Sequence, residues 1–224
     1  MTNRASVTAE YMALFRALES SRPSGSRLFL DSDSAVFLTG ERKCLARVAN
    51  WPGGRRLAEW LLDRASPGAR AAGIARTRWI DEKAAAALET ATQLVLLGAG
   101  FDMRALRLPR AALVHAFELD HPQTSLAKQA ALKRARRSVP ERIRYLGIDF
   151  NRQSIAQALL HAGFDSSRPA CWIWEGVTNY LTPEAVDSAL RQISESTAGG
   201  STLLFTYMTE PFWTTRTAIA ALRS

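Results

Sequence analysis

Five short apolar runs lie in the second part of the chain: Gln93 to Leu97, Leu113 to Phe117, Ile143 to Ile148, Cys171 to Trp174 and Thr202 to Tyr207. A brief, continuous apolar run closed by a glycine or an acid is the pattern of a strand buried on both faces. Between most of them the spacing predicts helices, over Gln123 to Arg137, Ser154 to Ala162 and Pro183 to Ser196. Alternating strands and helices imply an α/β fold, a mostly parallel sheet with helices on both faces. The N-terminal part carries helical patterns only. Val7, Tyr11, Leu14, Phe15 and Leu18 mark one helix, residues 27–49 a second mixed stretch, Arg55 to Arg64 a short amphipathic helix and Ala72 to Thr90 an alanine-rich one. Ser20 to Gly25, Trp51 to Gly54 and Ser66 to Gly68 are the breakers between them. The expected organisation is a helical extension over residues 1–90 and an α/β core over 91–224, built as one structural unit.

Composition narrows the class. A chain of 224 residues, 47% apolar and 22% charged, can bury one sizeable core. No apolar run is long enough to span a membrane, and the first residues carry no secretory leader pattern. Cys44 and Cys171 are too few and too far apart for a disulfide framework or a metal knuckle, so a cytoplasmic protein with no metal is expected. The net charge of +8 raises nucleic acid and anionic membrane as partners. The arginines are scattered, however, and the one dense run, Lys133 to Arg137, reads as a solvated helix end. Neither partner is expected.

Candidate chemistry sits at the ends of the predicted strands. Gly98-Ala99-Gly100 follows the first, where glycines let the backbone turn sharply and approach a ligand. A dinucleotide fingerprint needs a third glycine at position 103, which is Met103, and this counts against a nicotinamide cofactor. No phosphate cradle of the nucleoside-triphosphate type is present. Asp120 closes the second strand and can accept ribose hydroxyls, or merely cap a helix. Asp149 and Phe150 close the third, as an adenine edge and wall or as a turn cap. Glu175 closes the fourth amid aromatic residues, where a carboxylate requires a cationic partner. That partner is either a ligand cation or an arginine from the N-terminal half. Ligands of open parallel sheets bind along this carboxyl edge.

Several segments in order resemble the leucine carboxyl methyltransferase family, in particular its bacterial, mycobacterial-type branch of S-adenosyl-L-methionine-dependent proteins. They are Ala75 to Asp81, Leu97 to Arg104, Phe117 to Pro122 and Trp174 to Leu181, with Arg16 to Pro23 and Arg27 to Asp31 similar as well. The resemblance implies a class I methyltransferase fold, Rossmann-like, with S-adenosyl-L-methionine as methyl donor. It implies that Arg78, with Arg76 beside it, takes the methionine carboxylate. Gly98 and Gly100 would let the backbone approach the donor, and Asp120 would hold the ribose. Asp149 and Phe150 would flank the adenine, and Glu175 would face the methionine ammonium. The implied reaction is in-line O-methylation of a small molecule or a carboxylate, and no catalytic residue is assigned; His121 is read as packing or capping. The family's sheet continues beyond a fifth strand, whereas Thr209 to Ser224 leaves room for one short helix. The closing strands are therefore expected to be missing, which either leaves the fifth-strand edge and one side of the substrate pocket open in a truncated copy or has them covered by a second copy or a partner. The alternative function is a protein that keeps the cofactor cleft without turnover.

Overall fold

The computed structural model describes residues 7–207. Five strands form one parallel sheet: β1 (Gln93–Leu97), β2 (His115–Asp120), β3 (Ile143–Gly147), β4 (Ala170–Trp174) and β5 (Thr202–Phe205). Their order is β3-β2-β1-β4-β5, and every pair is parallel. Chain order reverses between β1 and β4, which opens a crevice at the carboxyl ends of those strands.

Strand alternation divides the core. Leu94, Leu96 and Ile173 point to one face, where they meet Ile80, Ala84 and Leu88 of α4 (Ala69–Ala87) and the residue after it. Val95, Leu97, Phe117, Trp172 and Trp174 point to the other. There they meet Ile155 and Leu159 of α7 (Ile155–His161) and Ala189 and Ile193 of α8 (Pro183–Glu195). β1 and β4 are buried at every position, as continuous apolar strands at the centre of a parallel sheet must be.

The extension is not a separate body. Leu14 and Leu18 of α1 (Val7–Ser20) share a core with Phe101 and Met103 of the glycine loop and Leu132 of α6 (Pro122–Arg134). Phe37 stacks on Phe101 with ring centroids 4.7 Å apart. Met103 is thus a packing residue at the position where a dinucleotide fold needs glycine.

Three readings need correction. The mixed helical stretch over residues 27–49 contains only a 3-10 turn, Ser34–Phe37, and α2 (Gly40–Val48). Residues 27–33 are held instead by side chains: Glu19 accepts the Leu28 N–H at 2.7 Å and Ser20 the Asp31 N–H at 2.7 Å. The second strand begins at His115 rather than Leu113, because Arg110–Leu113 closes a 3-10 turn after Pro109. A four-residue helix, α5 (Arg104–Arg107), stands where no element was expected. The helix expected to run to Arg137 ends at Arg134, so the run Lys133 to Arg137 forms the largely exposed end of α6 and the residues just after it. The remaining helix, α3 (Gly54–Ala65), follows the turn at Trp51. Residues 209–224, on which the expectation of missing strands rests, lie outside the described residues. Among the described residues no helix is long and apolar enough to cross a membrane, and no His, Cys, Asp and Glu cluster is arranged to hold a metal ion.

Candidate functional site

A cleft of about 380 Å³ opens at the carboxyl ends of β1, β2 and β4. Its lining includes Gly98, Gly100, Asp120, Asp149, Phe150, Glu175 and Arg76, seven of the eight residues predicted from the sequence. The eighth, Arg78, is not among them. Two residues on from Arg76, it leaves α4 in a different direction and binds Glu82 at 2.6 Å and the Leu28 carbonyl at 2.6 Å. Of the two arginines that the resemblance implies for the methionine carboxylate, Arg76 lines the cleft and Arg78 does not.

The glycine loop is shaped by its neighbours. Gly98 has φ 65°, and a Cβ on it would lie 2.2 Å from Val177 Cγ2. Gly100 has φ 49°, and its Cβ would lie 3.1 Å from Ala9 Cβ of α1. Both glycines are needed so that α1 and the loop after β4 can close on the turn, before any ligand is considered. Gly98→Ala combines a left-handed backbone with a clash against a branched side chain. It is expected to lower stability by about 2 kcal/mol or more, measured as a fall in the urea midpoint with the slope unchanged.

Asp120 is anchored by its own backbone surroundings. One carboxylate oxygen accepts the Gly100 N–H at 2.5 Å, the other the His121 N–H at 2.6 Å. Burial nevertheless raises its pKa, against those two bonds. His121 caps α6, its Nδ1 accepting the Gln123 N–H at 3.4 Å. Asp149 accepts the Asn151 N–H at 3.0 Å, so it is a turn cap that also lines the cleft.

Glu175 has arginine partners on both oxygens. Arg76 Nε donates to one at 2.7 Å, and Arg104 to the other at 2.7 Å. Burial pushes the Glu175 carboxyl up, but Arg104 and Arg76 outweigh it and hold it below the usual range. Arg104, which the sequence reading did not single out, is the centre of the arrangement. Only 2% exposed, it binds Asp81 of α4 at 2.7 Å, Asp102 of the glycine loop at 2.5 Å and Glu175 at the end of β4. Arg107 adds a second contact to Asp81 at 2.6 Å, and Arg16 of α1 binds Asp31 at 2.9 Å and the Phe101 carbonyl at 2.7 Å. Arg16, Arg76, Arg104 and Arg107 thus face Asp31, Asp81, Asp102 and Glu175, and the cluster is neutral. Beside it, Lys128 of α6 pairs with Glu118 and donates to the Asp102 carbonyl. Arg104 and Asp102 were visible in the sequence as polar residues right after a glycine turn, but their partners lie far along the chain.

The fold and the cleft together define an α/β protein of the class I methyltransferase type. A crystal structure of a "putative methyltransferase" from Thermobifida fusca YX superposes with a TM-score of 0.54 at 20% identity, over 86% of this chain and 69% of that one. The family model for leucine carboxyl methyltransferase matches residues 9–194, and the chain belongs to that family. A relative from Parafrankia sp. (strain EAN1pec) is 34% identical over 199 residues, covering 88% of this chain and 61% of its own length. Another, from Mycolicibacterium paratuberculosis (strain ATCC BAA-968 / K-10), is 39% identical over 130 residues, 58% of this chain and 42% of its own length. Both are named "Putative S-adenosyl-L-methionine-dependent methyltransferase". The chain therefore spans about half the length of the curated relatives it matches.

Proposed function

We propose that the chain binds S-adenosyl-L-methionine in this cleft and directs its methyl group to an oxygen of a small molecule or a carboxylate. The observation that carries the reading is the Arg76–Glu175 pair in the cleft, beside the glycine turn and the Asp120 carboxylate. An amino-acid zwitterion presents the complementary charges: its carboxylate suits Arg76 and its ammonium suits Glu175. Arg104 holds the other Glu175 oxygen, so Glu175 keeps its place when Arg76 turns to a ligand. Asp120 offers a carboxylate to ribose hydroxyls, and Asp149 with Phe150 lines the side suited to adenine. A volume of about 380 Å³ fits a ligand of this size.

The bound donor supplies a sulfonium with an already activated methyl group. The chain's own part is to fix the donor's two ends and exclude water, so that an acceptor meets the methyl in line. With its Nδ1 turned to the helix backbone, His121 is a cap rather than a base. This favours an acceptor oxygen that enters already ionised. Donor binding without turnover is the second reading. It is favoured by the polar side chains of the cleft, which are placed to hold the two ends of the donor and include no assigned base.

Calorimetric titration with S-adenosylhomocysteine tests the reading. Binding is expected for the native chain, weaker by roughly tenfold or more in Asp120→Ala, with NADH giving no heat. The affinity is also expected to fall on acidification. Asp120, with its pKa raised by burial, protonates above the ordinary Asp value near about 3.9, whereas Asp102 and Glu175 are held below theirs. The fold stabilisation from those two carboxylates is present above the unfolded pKa and is lost only as pH falls through the lower folded one. Affinity should therefore decline at a pH where circular dichroism still reports a folded chain. Unfolding and loss of binding at the same pH would contradict this.

A further inference from the structure

Helix α3 presents large apolar side chains to solvent. Successive helical residues turn by about 100°, so Arg56, Leu57, Trp60, Leu61 and Arg64 share one half of its surface. That half points to solvent: Leu57 is 51% exposed, Trp60 57% and Leu61 44%, and Trp51 in the turn before the helix is 70% exposed. The opposite half sets Ala58 and Leu62 on the core, with ion pairs beside them. Glu59 meets Arg22 at 2.6 Å and Arg55 at 3.2 Å, and Asp63 meets Arg70 at 2.6 Å. A helix at the surface of a soluble domain normally turns its large apolar side chains to the core. Glu59 is turned inward, Asp63 at the rim is partly exposed but held by both oxygens on Arg70, and the charges left on the outer half are Arg56 and Arg64. Exposed Arg47 lies near the end of α2, just before the Trp51 turn. Arg64 stacks over the Trp60 ring at 5.8 Å, and no ion pair forms at Arg47, Arg56 or Arg64 among the described residues.

We infer that the outer face of α3, with Trp51, docks onto the anionic surface of a lipid bilayer. Leucine and tryptophan side chains at one level, flanked by arginines, with the one bordering acid neutralised by Arg70, are the features of a helix that lies in the interfacial plane. Trp60 and Trp51 suit the headgroup boundary, and the arginines suit lipid phosphates. The charge argues against a second copy on the same face, because Arg56 and Arg64 would meet their own kind. This is attachment to a membrane surface, not spanning, and it revises the expectation of no membrane partner drawn from scattered charge.

Vesicle flotation of the full chain tests it, with phosphatidylcholine alone or mixed in equal parts with phosphatidylglycerol. Binding to the mixed vesicles at low salt, a blue shift of tryptophan emission and weakening on added salt are expected. The triple variant Leu57→Ser, Trp60→Ser, Leu61→Ser should bind roughly tenfold more weakly or worse. Arg56→Glu with Arg64→Glu should lose the preference for phosphatidylglycerol. All these side chains are exposed, and an unchanged melting temperature will confirm that the variants fold. No flotation with anionic vesicles, or equal flotation of the variants, would overturn the inference. So would a native dimer that the triple variant converts to monomer, which would assign the face to a second copy.

Discussion

Arg104→Ala is expected to be the most destabilising single change in the molecule. It removes a guanidinium that binds Asp81, Asp102 and Glu175 at once and leaves three carboxylates in a space where Arg104 itself is 2% exposed. Breaking one buried pair by deleting one partner costs about 3–5 kcal/mol. Here three acids are left: Arg107 still pairs with Asp81 and Arg76 with Glu175, while Asp102 keeps only the more distant charges of Arg16, Arg107 and Lys128 among the described residues. Against a typical domain stability of about 5–15 kcal/mol, this change should leave the chain largely unfolded or aggregated. Lysine at 104 keeps the charge but lacks the planar fork, which cannot be matched by one ammonium reaching three acids. It should recover part of the loss. Urea unfolding of the native chain, Arg104→Lys and Arg104→Ala, in that order of falling midpoint, is the check. An alanine variant as stable as the native chain would show that the cluster does not hold these elements together.

The second large effect is on affinity. Glu175→Gln keeps the shape of the side chain and removes the one negative charge facing Arg76 across the cleft. A hydrogen bond to a charged group contributes about 1.5–3 kcal/mol, so S-adenosylhomocysteine should bind roughly 10- to 100-fold more weakly. The fold should survive, because Arg104 retains Asp81 and Asp102. Arg78→Ala is the control. Its side chain is tied to Glu82 and Leu28 outside the cleft, so its affinity should equal that of the native chain. A loss in Arg78→Ala equal to that in Arg76→Ala would return the carboxylate-binding role to Arg78.

The sheet was the most legible part of the chain. Gln93 to Leu97 and Cys171 to Trp174 read as buried strands because central parallel strands admit no polar face, and the structure places them side by side. The acids at the strand ends were legible for a related reason: a parallel sheet brings the ends of its strands to one edge, so Asp120, Asp149 and Glu175 had to approach one another. What stayed hidden depends on long-range pairing. Residues 27–33 keep apolar spacing like a helix, yet the Leu28 and Asp31 amides are taken by Glu19 and Ser20. Arg76 and Arg78 are both arginines on one helix two positions apart, and spacing alone cannot say which faces the sheet edge. Arg104 could not be read as the hub because its partners at 81, 102 and 175 converge only in the folded chain. The exposed apolar stripe of α3 was hidden likewise, since its periodicity is that of any amphipathic helix and only packing shows which side chains are inside.

How the cleft receives its ligand is open to direct test by a crystal structure of the S-adenosylhomocysteine complex. It should place the ligand carboxylate on Arg76, the ammonium near Glu175 and the ribose on Asp120, with the Arg76–Glu175 contact opened and the Arg104–Glu175 contact kept. A ligand bound elsewhere, or held by Arg78 with the Arg76–Glu175 pair intact, would contradict it.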